Sequence, residues 1–526
     1  MTCRPWEEHK PPASPRIQSI SPGLNQIIYL TEDGAVWTMG SNTHGQLGDG
    51  AMGREAWSST PVSVALPHRM KQVGSGFDFC WALSAHGRSA YAWGDNRKGQ
   101  LGIADPSVSY STAPVRIKFD LPPGVSVVSM ADGLWCSLAL LSNGEVMAWG
   151  DNQYGQCGLN PKTAGQYIYK PTVIPGLTGV ASLAAGDFYS MALKADGTVW
   201  TWGQNTFGQL GPKGPEPGEY SHAFVPRRVP GLPDIQEVIA GGRNAIALDD
   251  RGHIWEWGRN KFGELGRGVA DLSDGAHPTP KMVVGLPRIV SVDSQGPTVL
   301  AADAHGHVYA WGFDRYGAVG DGQTASTGTP QLVLTLPTTP HSSGPSVEVA
   351  AAHFSSYAFN PYTGEIYAWG RNNYGQIGEP ANGSANPTPT NITNEILPTL
   401  GAPDGGPPPW RRDSAVGASP YAQIDGGHNV AAFSSAFDAA AGAHSLFHPG
   451  SGYEHIHGLT EGGAAHEIPA LQNSDAGMLA TFLTHASYDG SSAALRLFHD
   501  STEFPGAPKF GLWPHPGDFP FGSDKS

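Results

Sequence analysis

The amino-acid sequence predicts an all-β fold, a seven-bladed β-propeller, on three observations. A strand-like pentad ending in glycine recurs at Gly40, Gly94, Gly150, Gly203, Gly258, Gly312 and Gly370, spaced 53 to 58 residues apart. Each copy is followed by a glycine-punctuated turn. Each is preceded by a small-residue segment and a turn, with proline-flanked strands such as Pro61-Val-Ser-Val between units. One period then holds three or four short strands, the content of one propeller blade. Blades cannot bury their faces alone, so the seven count as one domain despite a length of 526 residues.

The clearest copy is Val199-Trp-Thr-Trp-Gly-Gln-Asn-Thr-Phe-Gly-Gln-Leu-Gly211. Alternation puts Val199 and Thr201 on one face of a strand and Trp200 and Trp202 on the other. Gly203, Gly208 and Gly211 supply the positive φ angles or close approaches that the turn requires. The other copies are Val36-Trp-Thr-Met-Gly40, Ala90-Tyr-Ala-Trp-Gly94, Val146-Met-Ala-Trp-Gly150, Ile254-Trp-Glu-Trp-Gly258, Val308-Tyr-Ala-Trp-Gly312 and Ile366-Tyr-Ala-Trp-Gly370. Their rings are expected to pack between blades.

Taken in order, residues 1–16 read as a flexible, proline-rich lead-in, and the propeller runs from 17 to 433. The stretch 379–410 reads as a long Pro/Gly/Asn-rich loop. Ile424-Asp-Gly-Gly-His-Asn-Val-Ala-Ala-Phe433 resembles an eighth first half-unit with no second half. An open ring would leave two bare sheet edges, so closure by both chain ends, sharing one blade, is expected. Residues 434–526 form a small appended segment whose fold the sequence does not specify. It carries eight of the 20 histidines.

Composition bounds the function. Gly 70 and Pro 45 invite a disordered reading, but 15 Trp and regular apolar alternation oppose it. A net charge of −15 without Lys/Arg runs argues against nucleic acid as a direct partner. Cys3, Cys80, Cys136 and Cys157 lack metal-type spacing and read as free thiols, which fits a reducing compartment. No signal-peptide core or span-length apolar window is present, so no membrane association and a cytoplasmic location are expected.

The pattern aliphatic-x-x-Trp-Gly-x-Asn-x-x-Gly-Gln-Leu-Gly, repeated seven times over about residues 17 to 433, resembles the regulator of chromosome condensation repeat family. The resemblance implies a seven-bladed propeller. Members include guanine-nucleotide exchangers of small GTPases, bacterial β-lactamase inhibitors, plant ultraviolet photoreceptors and interaction modules. The chain departs from the family where a histidine is usual in the first half-unit. That position holds Gln26, Phe79, Cys136, Tyr189, Asn244, Thr298, Ser355 and Asn429. The photoreceptor signature Gly-Trp-Arg-His-Thr is also missing, its nearest counterpart being Gly133-Leu-Trp-Cys-Ser137.

Equivalent turn positions must share one rim of the ring. Just before the Gly-Gln/Glu pair these are His44, Lys98, Tyr154, Phe207, Phe262, Tyr316 and Tyr374, beside polar neighbours that include Arg97, Lys261 and Arg315. Aromatic rings with scattered arginine have the composition of a protein-binding surface, although each ring could instead pack on its neighbour blade. The leading expectation is a non-enzymatic propeller that binds a protein partner through this rim, a small GTPase among the candidates, with no cofactor. The rival is a metal-dependent enzyme or factor using the histidine-rich segment. There His455 and His457 on one strand face would be ligands. Light sensing by the Trp array is a third reading.

Overall fold

Small residues and rings alternate so regularly that both faces of the central strands can be buried, and seven small sheets result. The computed structural model describes residues 16–400 apart from 55, 214–220, 269, 271–273 and 339–346. Seven four-stranded antiparallel sheets each use strands consecutive in the chain. The blades span 17–63, 70–116, 127–173, 180–228, 235–282, 289–335 and 348–391. We call the strands of each blade A to D, outward from the ring axis. B strands such as Phe79–Ser84 and Cys136–Leu141 are buried at every residue, while A and D strands are half-exposed.

The Trp-Gly glycine is dictated by the backbone. Gly203 sits at φ 106°, and a Cβ there would stand 2.5 Å from the Phe188 carbonyl oxygen of its own blade. At the equivalent Gly40 the clash would be 2.3 Å from the Asn25 carbonyl oxygen. In all seven blades the C–D ladder shifts register at this glycine, as between Thr201 and Gly203. Positive φ at Gly208 (82°) and Gly211 (87°) matches the turn read from sequence.

Closure differs from the expectation in one respect. No sheet among the described residues mixes strands from the two ends, because blade 1 already has four strands of its own from Ile17 onward. Blade 7 instead packs directly on blade 1. Ile392 and Ile396, after the last strand, are fully buried with Ile17, Ile27, Tyr29, Trp37 and Met39. A Cβ on Gly375 of blade 7 would meet Ser59 of blade 1 at 2.6 Å, the relation Gly317 has with Pro387 one seam earlier. The half-unit 424–433 lies outside the described residues, as do residues 434–526 and the lead-in up to 15.

The stretch 379–410 is not all loop. Ala385–Asn391 is the D strand of blade 7, and Thr393–Leu400 is a short helix. The Pro/Thr-rich D strand reads like a turn in sequence. It pairs one edge with Tyr367, Ala368, Gly370 and Arg371 and exchanges two main-chain bonds with the blade 6 turn, Gly322 N–H to Pro387 O and Asn386 N–H to Tyr316 O, so it needs no apolar alternation.

Candidate functional site

Each C–D turn is built from its own side chains. Asn205 Oδ1 accepts the Leu210 N–H at 2.9 Å, and Gln209 Oε1 accepts the Phe207 N–H at 2.9 Å. The same pair of bonds recurs at Asn96 and Gln100, and at Asn372 and Gln376. The glutamine carbonyl then accepts the indole N–H of the next blade: Trp93 from Gln46, Trp149 from Gln100, Trp202 from Gln156 and Trp257 from Gln209, all 2.8–2.9 Å. The motif thus fixes both the turn and its attachment to the following blade.

That attachment decides where the predicted rim residues point. Five of the seven turn side chains lean on the residue that precedes the next blade's B strand. Tyr154 meets Phe188 edge-on at 5.3 Å between centroids, and Tyr316 meets Phe354 at 5.1 Å. Lys98 Nζ lies 4.2 Å from the Trp135 ring centroid and 3.7 Å from Asp151 Oδ2. Phe207 lies under the Arg243 and Arg259 guanidiniums, at 5.4 and 5.1 Å. His44 Nδ1 is 3.5 Å from Asp78 Oδ2, and its ring stacks on Tyr110. Burial opposes a charged imidazole at His44, but Asp78 and Asp95 outweigh it and raise its pKa above the ordinary value.

Exposure separates the ten predicted residues. Lys98, Tyr154, Phe207 and Tyr374 are buried, at 5, 7, 7 and 3 % exposed. His44, Arg97, Lys261, Phe262 and Tyr316 are half-buried, and Arg315 is exposed. Arg97 forks onto Asp95 with two 3.0 Å bonds and lies over Tyr110. Against the effect of burial, Arg97 holds the Asp95 carboxyl below its usual range. Lys261 Nζ stands 3.9 Å from Asp274 Oδ2, and Phe262 meets Phe313 edge-on at 4.8 Å. Arg315 lies over the Tyr316 ring.

Sequence reasoning missed the A–B turn residues that complete this face: Asp78, Trp135, Phe188, Arg243 and Phe354. The only signal was positional, since each directly precedes a B strand.

The ring axis is filled on the same face. His353 Nε2 of blade 7 lies 3.3 Å from Asp187 Oδ1 of blade 4, and Gln295 Nε2 donates to the Ser75 carbonyl at 3.2 Å. Main-chain bonds pass from blade to blade around it, from Phe77 N–H to Leu134 O and from Asp187 N–H to Gly242 O. The cavity left between Phe77, Leu134, Asp187, Gln295 and His353 is about 10 Å³, room for about one water.

Among the described residues no group of three or more His, Cys, Asp or Glu is placed to hold a metal. His455 and His457 lie outside those residues. Cys80, Cys136 and Cys157 are buried free thiols, and no described helix is long and apolar enough to cross a membrane.

Comparison with known proteins gives a consistent picture. The RCC1-like domain model matches residues 4–216 and 112–406. The chain is 28% identical over 369 residues to the ultraviolet-B receptor UVR8 of Arabidopsis thaliana, covering 70% of this chain and 80% of that protein. It is also 28% identical to the human E3 ubiquitin-protein ligase HERC2, over 60% of this chain but only 6% of the ligase. Among solved structures, Prp20p of Saccharomyces cerevisiae, described with its binding to Gsp1p and histones, aligns with TM-score 0.53 and 27% identity. That alignment covers 60% of this chain and 76% of Prp20p. Human WBSCR16 aligns with TM-score 0.58 and 21% identity over 68% of this chain and 94% of its own, a likeness of fold. With seven blades, six of their seams held by the same turn-to-tryptophan bond, and a family match across most of its length, the chain belongs to the RCC1-like domain family.

Proposed function

We propose that this propeller binds a protein partner through the rim formed by its C–D turns, without chemistry of its own. The observation that carries the reading is the split in exposure on that rim. Lys98, Tyr154, Phe207 and Tyr374 are committed to the seams. Arg97, Lys261, Arg315, His44, Phe262 and Tyr316 keep part of their surface in solvent. Arginine and aromatic rings on a rigid base favour a hot spot, because little side-chain entropy is lost on binding. The outer contacts are cationic while the chain carries −15, which suits a partner with an acidic docking patch.

The finer reading is regulation of a small GTPase by nucleotide exchange, supported by the relationship to Prp20p. Two experiments keep the levels apart. Capture of partners by the intact protein is compared with an Arg97→Ala/Lys261→Ala/Arg315→Ala variant. A partner retained undiminished by the variant ends the rim assignment. Release of a fluorescent nucleotide from a panel of small GTPases tests the finer level, and no acceleration across the panel removes exchange while leaving binding intact.

A further inference from the structure

The outer edge of a D strand is bonded where the preceding blade's turn reaches it, as Gly50 N–H to Thr112 O, Gly268 N–H to Gly328 O and Gly322 N–H to Pro387 O. Beyond that point no described strand covers the edge, and in six blades the remainder is short. Each of those strands carries a proline three residues after the residue facing the Trp-Gly glycine: Pro61, Pro114, Pro171, Pro226, Pro280 and Pro389. Each strand then ends two residues later. Proline removes an N–H from the edge and blocks pairing with another chain.

Blade 6 breaks the rule. Its D strand, Thr327–Thr335, has Pro330 at the same place but runs five residues beyond it. The extension pairs inward with Tyr309, Val308 and His307, shifting register at Val333. No described strand pairs with its outer edge. The run Gln331-Leu-Val-Leu-Thr335 contains no charge, whereas several other D strands carry Lys or Arg. Leu332 is 57% exposed. Its cross-strand partner Tyr309 packs on the apolar seam between blades 5 and 6, where Val283 is buried and the next residue, Val284, is 68% exposed. These are the two most exposed large apolar side chains among the described residues.

We propose that 331–335 of blade 6 is a docking edge that takes up an extended peptide of another protein as a fifth strand. The outward backbone groups supply the hydrogen bonds, and Leu332 with the Val284 lip supplies the apolar contact. The occupant is a β-branched, uncharged stretch flanked by lysine or arginine. A chain of net charge −15 attracts such flanks and repels a second copy of itself. This surface lies on the outer circumference and does not depend on the rim described above.

The test uses the full-length protein and a panel of synthetic ten-residue peptides with Val/Thr alternation between lysine flanks. Controls have proline at the centre, or N-methyl groups along one strand edge or the other. The expected result is binding that slows hydrogen exchange at 331–335. It should be lost with central proline and with methylation of one edge only, and weakened about tenfold or more by Leu332→Lys. Peptides that bind without protecting 331–335, or equally well to Leu332→Lys, overturn the proposal, as does no binding across the panel. A dimer in sedimentation that Leu332→Lys dissolves would replace the peptide with a second copy.

Discussion

Glu256 sits where the other blades place Thr38, Ala92, Ala148, Thr201, Ala310 and Ala368. In blades 1 and 4 the threonine hydroxyl donates to the carbonyl of Leu47 or Leu210, closing the turn from inside. Glu256 is fully buried, and neither carboxyl oxygen accepts a hydrogen bond. Arg267 spends one N–H on the Glu256 main-chain carbonyl at 2.6 Å. Burial pushes the Glu256 pKa well above 4.5; Arg267 works against this and Glu264 adds to it. A buried polar group without partners costs about 1–3 kcal/mol, so Glu256→Thr is expected to stabilise the protein by that order. The sign with pH follows from linkage. The unfolded carboxyl ionises above its ordinary pKa while the folded one stays protonated, so the native protein loses stability as pH rises. The gain of Glu256→Thr in thermal melts should therefore be larger at pH 7.5 than at pH 5, and a gap constant with pH would refute the account.

The seams between blades make the corresponding argument for elements. Trp149 donates to the Gln100 carbonyl at 2.9 Å, and a Cβ on Gly102 would stand 2.8 Å from its Nε1. The last glycine of one blade's motif is thus required by the tryptophan of the next. Trp149→Phe keeps a ring in the seam but strands a buried carbonyl, and is expected to cost about 1–3 kcal/mol in denaturant unfolding with an unchanged m-value. A variant as stable as the parent would show that ring packing alone holds the seam. This mutual requirement is why seven blades were legible in the sequence, since the turn glycine recurs at every seam and the tryptophan at six of them, while the accepting carbonyl tolerates Glu264 or Ala318 in place of Gln. The strands with one free face were less legible, and Ala385–Asn391 reads as loop because nothing demands apolar alternation there. The rim was legible on one side only. His44, Lys98 and Phe207 could be aligned, but their counterparts Asp78, Trp135 and Arg243 are chemically unlike one another and lie more than thirty positions downstream.

Across the whole molecule, the inner strands gather acid around the axis: Asp132 in blade 3, Glu237 in blade 5, Asp293 in blade 6 and Glu348 in blade 7. Two of these also bridge blades. Asp132 Oδ1 accepts the Trp81 indole N–H at 2.7 Å, and Asp293 Oδ2 accepts the Ala351 N–H at 2.8 Å. Burial pushes Asp132 to about 7, with repulsion from Asp293 adding to the effect, and pushes Asp293 to about 6. A carboxyl whose folded pKa is raised contributes stability below its unfolded value and loses it as pH climbs to the folded value. His44, also raised, acts in the same direction, while Asp95 titrates beneath this range. The ring is therefore expected to unfold at a higher temperature at pH 5 than at pH 7.5, despite its many surface carboxylates. Asp132→Asn/Asp293→Asn preserves both accepting oxygens and removes both titrations, so its melting temperature should vary less with pH across that interval. A midpoint that rises with pH, or a double variant with the parent's slope, would place the pH response outside these inner-strand carboxyls.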